Sequence, residues 1–225
     1  QLSLYIVDQR QALHFEQVFR ASDMAGYMAE STLEHLGFGT VNGPDGKPYK
    51  TRDGGILKLH SLISQADEAA LARMKEAGLG ADVSEAEQAD IAHKVAVAAI
   101  KFSDLSNVRT TNYIFDLDRF ISFEGRTGPY LLYAAVRIKS LARRAADEGV
   151  TAGPIAVELD AERALVLALD GFADALRGAY DKRTPHILCE HAYALAQAFS
   201  GFYAVAPVLA ESDSAKKASR FALAM

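Results

Sequence analysis

The chain has 225 residues, half of them hydrophobic, with six prolines and a formal charge of −5 at pH 7. That length buries the core of one large or two ordinary domains, and the composition is too apolar for a disordered chain. The acidic balance excludes a uniformly basic nucleic-acid binder but leaves room for one local basic face. One cysteine, Cys189, excludes an internal disulfide framework and fits a reducing compartment. No apolar run approaches the roughly 20 residues that span a bilayer, and no charged-then-apolar leader opens the chain. A cytoplasmic protein without a membrane partner is expected. The apolar run that follows Gln1 almost at once predicts a sheet started upstream, and so a cut beginning.

Leu2, Leu4, Tyr5, Ile6 and Val7 form a near-continuous apolar run. It predicts a strand covered on both faces of a parallel sheet, with Asp8 at its carboxyl end. A helix follows through Leu13, Val18 and Phe19, placing Asp8, Gln11 and His14 at a strand-to-helix junction, where open α/β sheets hold ligands. The plainer reading makes Asp8 a helix cap and His14 a packing residue. A second helical piece is expected around Ser22–Glu30.

From Gly37 to Leu59 two short β-prone runs flank the turn residues Gly43-Pro44-Asp45-Gly46, and Lys47, Lys50 and Arg52 follow before Gly54-Gly55. Cations on a glycine-rich loop suit a polyphosphate, because they close on charge that develops during a reaction and then release it. A solvated hairpin tip carries the same residues. A helix is predicted from about Ser61 to Ala77, stopped by Gly78 and Gly80. The domain boundary is expected after Val83.

Beyond it helical patterns dominate. Ser84 with Glu87 predicts a capping box for a helix carrying Ile91, Val95, Ala98, Phe102 and Leu105. An irregular polar loop at Ser106–Asn112 comes next, then a short amphipathic segment at Phe115–Phe120. Thr127-Gly128-Pro129 predicts the start of a helix to about Asp147. This helix carries Arg137, Lys139, Arg143 and Arg144 and no acidic residue between Thr127 and Ala146. Beside Tyr130 and Tyr133 such a patch serves single-stranded RNA through phosphate pairing and base stacking. It equally fits a solvated helix face. Two long helices, roughly Asp160–Tyr180 and Pro185–Ala206, and a last one from near Ser214 predict an antiparallel bundle.

His186, Cys189 and His191 do not share one helix face, and no second cluster completes a zinc set, so no metal site is expected. Cys189 lies mid-helix among apolar neighbours, where an inert thiol is expected. Asp116 and Asp118 read as a cap and a solvated side chain. No G-x-S-x-G, complete P-loop or G-x-G-x-x-G after a strand occurs.

Four stretches carry a resemblance: YIVDQRQALHF from Tyr5, FGTVNGPDGKPYKTRDGGILKLHSLI from Phe38, IKFSDLSNVRTTNYIFDLDRFISFEG from Ile100, and GPYLLYAAVRIKSLARRA from Gly128. Over essentially its whole length the chain resembles the carboxyl-terminal half of a bacterial-type arginyl-tRNA synthetase, a class I aminoacyl-tRNA synthetase. The resemblance implies α/β followed by all-α architecture: a partial Rossmann-type catalytic domain over residues 1–83 and a helical-bundle anticodon-binding domain over 84–225, short at its end. It implies ATP as substrate, with Mg in the full-length enzyme, and arginine and tRNA(Arg) as partners, with no DNA and a monomeric state. Gln11 corresponds to the family glutamine that helps hold arginine, with His14 in the same element. Lys50, Thr51, Arg52, Asp53 and Gly54 stand where other class I enzymes carry Lys-Met-Ser-Lys-Ser, with Lys50 and Arg52 as the catalytic cations. Tyr133, Arg137, Lys139, Arg143 and Arg144 are the expected tRNA contacts, joined by Asn107 and Arg109. No His-Ile-Gly-His motif occurs, so the chain alone is expected not to form arginyl-adenylate. The competing expectation is a non-enzymatic helical interaction module with an α/β support.

Overall fold

The computed structural model describes residues 1–28, 30–43, 45–48 and 59–225. Strands β1 (Leu2–Asp8) and β2 (Thr32–Phe38) pair in parallel, Leu2 opposite Thr32 and Asp8 opposite Phe38. A 3-10 turn (Gln9–Gln11) and helix α1 (Ala12–Met24) make the crossover that parallel pairing requires. Tyr5 packs on α1 through Phe15 and Phe19, at ring separations of 5.4 and 5.1 Å, and Phe15 stacks on His35 of β2 at 4.8 Å.

Among the described residues this covers one face of the pair only. Ile6, on the opposite face, is 66% exposed. The expectation of a strand covered on both faces is therefore corrected, because alternate side chains point to opposite faces and only one meets α1. The second helix expected at Ser22–Glu30 is also corrected. Ser22–Met24 finish α1, and the chain then turns with Gly26 at φ +78°. The Tyr27 amide donates to the Ser22 carbonyl and the Gly26 amide to that of Asp23, the pattern that closes a helix at a left-handed glycine.

Strand β3 (Val41–Asn42) pairs in parallel with β4 (Tyr113–Ile114), bringing two distant polar stretches together. Helices α2 (Leu59–Glu76) and α3 (Glu85–Leu105) pack through Ala66, Ala70 and Met74 against Ala92, Val95 and Ala96. Small residues let the two backbones approach closely. The division expected between residues 83 and 84 crosses this shared core. Ser84 caps α3, its hydroxyl accepting the Glu87 amide at 3.3 Å.

Asp116 caps the short α4 (Leu117–Phe120), and Thr127 caps α5 (Gly128–Asp147). The helix expected from Asp160 to Tyr180 is divided at Gly171 into α6 (Asp160–Asp170) and α7 (Phe172–Lys182). Helices α8 (His186–Val205) and α9 (Ser214–Ala224) complete the bundle. Its core gathers Leu141, Leu165, Phe199, Phe202, Val208 and Leu223.

Candidate functional site

The carboxyl ends of β1 and β2 lie side by side and present the junction where ligand-binding residues are expected from the sequence. Asp8 caps the 3-10 turn, its Oδ1 accepting the Arg10 amide at 2.8 Å. It also pairs with the Arg10 guanidinium, Nη2 to Oδ2 at 2.6 Å. The Arg10 side chain, and then the Arg10 amide, hold the Asp8 carboxyl down at about 2. Asp8 is thus a cap whose carboxylate form its Arg10 partner favours. Gln11 is the residue before α1 and is exposed. His14, one turn on, is exposed with its ring edge-on to Phe15 at 5.4 Å.

From Phe38 the chain runs through Gly39 and Thr40 into β3 and a tight turn. Gly43 donates to the Lys47 carbonyl, Gly46 to the Gly43 carbonyl, and Asn42 bridges antiparallel to Pro48. The Asn42 amide secures the tip on the Gly46 carbonyl at 3.0 Å. This is hairpin-tip geometry, with Lys47 exposed at its end. Lys50, Thr51, Arg52, Asp53 and Gly54 lie outside the described residues, as does the flanking run Ile56–Lys58.

The loop at Ser106–Asn112 backs this exit. The Gly39 amide donates to the Arg109 carbonyl at 2.9 Å and the Thr40 amide to Asn112 Oδ1 at 2.8 Å. A side chain at Gly39 would meet the Thr111 backbone carbonyl at 2.6 Å, so glycine is needed for the close approach. Arg109 turns inward: Nη1 donates to the Gly37 carbonyl and Nε to the Arg183 carbonyl at 3.2 Å. The Asn107 amide likewise donates to the Ser103 carbonyl at the end of α3, at 2.5 Å. Between β1–β2, this loop and the α7–α8 turn lies a cleft of about 1080 Å³, lined by Leu4, Ile6, Phe38, Leu105, Tyr180 and Leu188 among others.

On α5 the basic residues divide into two stripes. Arg137 lies within 6 Å of three aromatic rings, 4.6 Å from Tyr203, 5.5 Å from Tyr133 and 5.9 Å from Phe199. Arg144 follows it two turns later, about 20° round the helix, while Lys139 and Arg143 lie about 40° from each other on the outer face. Lys139, Arg143 and Arg144 are exposed, and no ion pair engages them among the described residues. Tyr133 is 55% exposed beside this face.

Two residues at the junction escaped the sequence reading. Arg183, after α7, and Glu34, on β2, form an ion pair at 3.3 Å across 149 residues. No local pattern marks either one. In the α8 cluster His191 packs against Phe172 at 5.9 Å, and burial, the chief influence on the Cys189 thiol, pushes it up. No described helix is long and apolar enough to cross a membrane.

Comparison with known proteins places both halves. Residues 1–117 match the model of the class I (R) tRNA synthetase catalytic domain, and residues 131–225 that of the DALR anticodon-binding domain. The arginine–tRNA ligase of Hyphomonas neptunium is 65% identical over 221 residues, 98% of this chain and 38% of the relative. That of Maricaulis maris is 62% identical over 223 residues, again 38% of the relative. The chain thus spans under two-fifths of the length of these curated relatives. The Thermus thermophilus arginyl-tRNA synthetase structure matches 98% of the chain and 37% of its own, with a TM-score of 0.78 at 29% identity. The Plasmodium falciparum arginyl-tRNA synthetase matches with a TM-score of 0.77 at 25% identity, over 99% of this chain and 37% of its own. With residues 1–117, more than half its length, inside the catalytic-domain model and residues 131–225 inside the anticodon-binding model, the chain belongs to the arginyl-tRNA synthetase family of class I.

Proposed function

We propose that the protein joins arginine to ATP and then transfers the arginyl group to tRNA(Arg), working as a cytoplasmic monomer. The observation that supports this most is the junction of Asp8, Gln11 and His14 at adjoining parallel strand ends, with the second strand running on through Gly39 and Thr40 into β3, ahead of Lys50 in sequence. In the first step a carboxylate oxygen of arginine bonds to the α-phosphorus. The bond to the bridging oxygen breaks, and pyrophosphate leaves with its electron pair. Lys50 offsets the charge that grows on the departing group, while Arg52 and the backbone near Gly54 shape the approach. Gln11 and His14 flank the arginine. Mg²⁺ enters as a companion of ATP, held chiefly by the phosphates. Among the described residues no group of three His, Cys, Asp or Glu side chains is arranged to hold a metal.

The bundle binds the tRNA through Tyr133, Arg137, Lys139, Arg143 and Arg144, whose charges meet phosphates while Tyr133 offers a stacking face. Asn107 and Arg109 complete the proposed tRNA surface from the Ser106–Asn112 loop, where they also hold the fold through the Ser103, Arg183 and Gly37 carbonyls. The test is charging by the complete gene product with each of the twenty amino acids. Arginine alone should be transferred, and only to tRNA(Arg); preferential transfer of another amino acid would overturn the assignment.

A further inference from the structure

Arg183 is, among the described residues, the one non-glycine residue with positive φ, at φ 55° and ψ 41°. It occupies the left-handed position that ends α7, where glycine is the ordinary residue because a Cβ is unfavourable there. Its side chain is engaged on several sides. Nη1 donates to the Tyr180 carbonyl at 2.6 Å, the guanidinium lies 4.7 Å from the Tyr180 ring centre, and Nε reaches Glu34 at 3.3 Å. Its carbonyl accepts Arg109 Nε at 3.2 Å, and Arg109 Nη1 donates to the Gly37 carbonyl. The Arg109 carbonyl in turn accepts the Gly39 amide at 2.9 Å. Two guanidinium groups and the Arg109 carbonyl thus tie the α7–α8 turn to Glu34, Gly37 and Gly39 along β2 and its exit.

We propose that Arg183 and Arg109 are positioning residues for arginine activation. They fix the exit of β2, and with it the start of the segment leading to Lys50, against the helical bundle. The proposal rests on the synthetase reading above. Neither residue touches substrate; each acts through the backbone it holds, and misplacement of a reacting charge by about 1 Å costs up to about 100-fold in rate. A merely local role for residue 183 is the helix stop, which glycine performs at lower conformational cost. Arg183→Gly therefore keeps the turn and the carbonyl that accepts Arg109 Nε and removes the side-chain bridge to Glu34, whereas Arg109→Leu removes the ties to Gly37 and to that carbonyl.

The experiment is arginine-dependent exchange of pyrophosphate into ATP by the complete gene product, paired with amide hydrogen exchange at Gly39 and Tyr113. Arg183→Gly should lower kcat about tenfold and leave KM for arginine within about twofold. It should speed exchange at both amides without lowering the thermal midpoint. Glu34→Gln should act in the same direction, and the double variant should lose little more, since both sever one bridge. An active wild type with unchanged kcat in both Arg183→Gly and Arg109→Leu would overturn the positioning role alone, as would a fallen kcat with both amides unchanged. A wild type with no arginine-dependent exchange would overturn the synthetase reading and this proposal with it.

Discussion

The Arg220 guanidinium of α9 meets the Glu162 carboxylate of α6 at 2.9 Å, with the two side chains only 9% and 3% exposed. Further partners surround the pair. Glu162 Oε2 accepts the amides of Glu158 at 2.7 Å and Leu159 at 3.0 Å, and Arg220 Nη1 reaches Glu211 at 2.6 Å. Breaking one side of a buried pair strands the other charge. Arg220→Met should therefore destabilise the chain by about 3–5 kcal/mol, and adding Glu162→Leu should recover part of that loss. Urea unfolding of the wild type and the two variants measures the loss and its recovery.

The same cluster sets an acid limit. Burial alone would raise the Glu162 carboxyl, but the Glu158 and Leu159 amides and Arg220 outweigh it and hold it below the ordinary 4.5. The Asp213 amide, ahead of other influences, lowers Glu211 as well. A carboxyl lowered by folding contributes stability that is present above its unfolded value and lost as pH falls through its folded one. The urea midpoint should hold above pH 4.5 and fall below it, and Glu162→Gln should flatten that fall.

Two glycines give opposite expectations. Gly128 opens α5 against α3, and an added methyl would run into the Ala98 carbonyl and sit 2.9 Å from the Ala99 amide nitrogen. Gly128→Ala should cost about 1–3 kcal/mol by forcing the helices apart. Gly201, within α8, has open space around its missing side chain. Gly201→Ala should gain up to about 1 kcal/mol through helix propensity. A thermal melt of each variant decides both.

These contrasts also show which features could be read before folding. The run ending at Val7-Asp8, the Ser84 cap and the Thr127-Gly128-Pro129 start each carry a local signal, and each stands where expected. β2 was missed over Thr32–Leu36 because Glu34 and His35 interrupt its apolar pattern. Their partners, Arg183 and the Val7 carbonyl, come from distant sequence. The break at Gly171 hid inside an unbroken apolar spacing from Leu165 to Leu176. At the candidate site, Asp8, Gln11 and His14 could be placed from a strand-to-helix junction. The inward turn of Arg109 could not, since only the tertiary approach of Gly37 and Arg183 decides where its donors go.

Lys139 and Arg143 on the outer face of α5, with Arg144 on the Arg137 stripe, carry the RNA-binding expectation. Reversing Lys139, Arg143 and Arg144 to Glu should weaken tRNA binding and reduce its dependence on salt by about one counterion for each residue that meets a phosphate. Titrations at several salt concentrations give that slope. Unchanged affinity and slope would move the interface to another face.

Arginine-dependent exchange of pyrophosphate into ATP, compared between the complete gene product and its Lys50→Ala variant, tests the central claim most directly. The account predicts exchange that requires arginine and a loss of about 100-fold or more in kcat on removing the Lys50 charge. Exchange driven equally by another amino acid, or indifferent to Lys50, would contradict it.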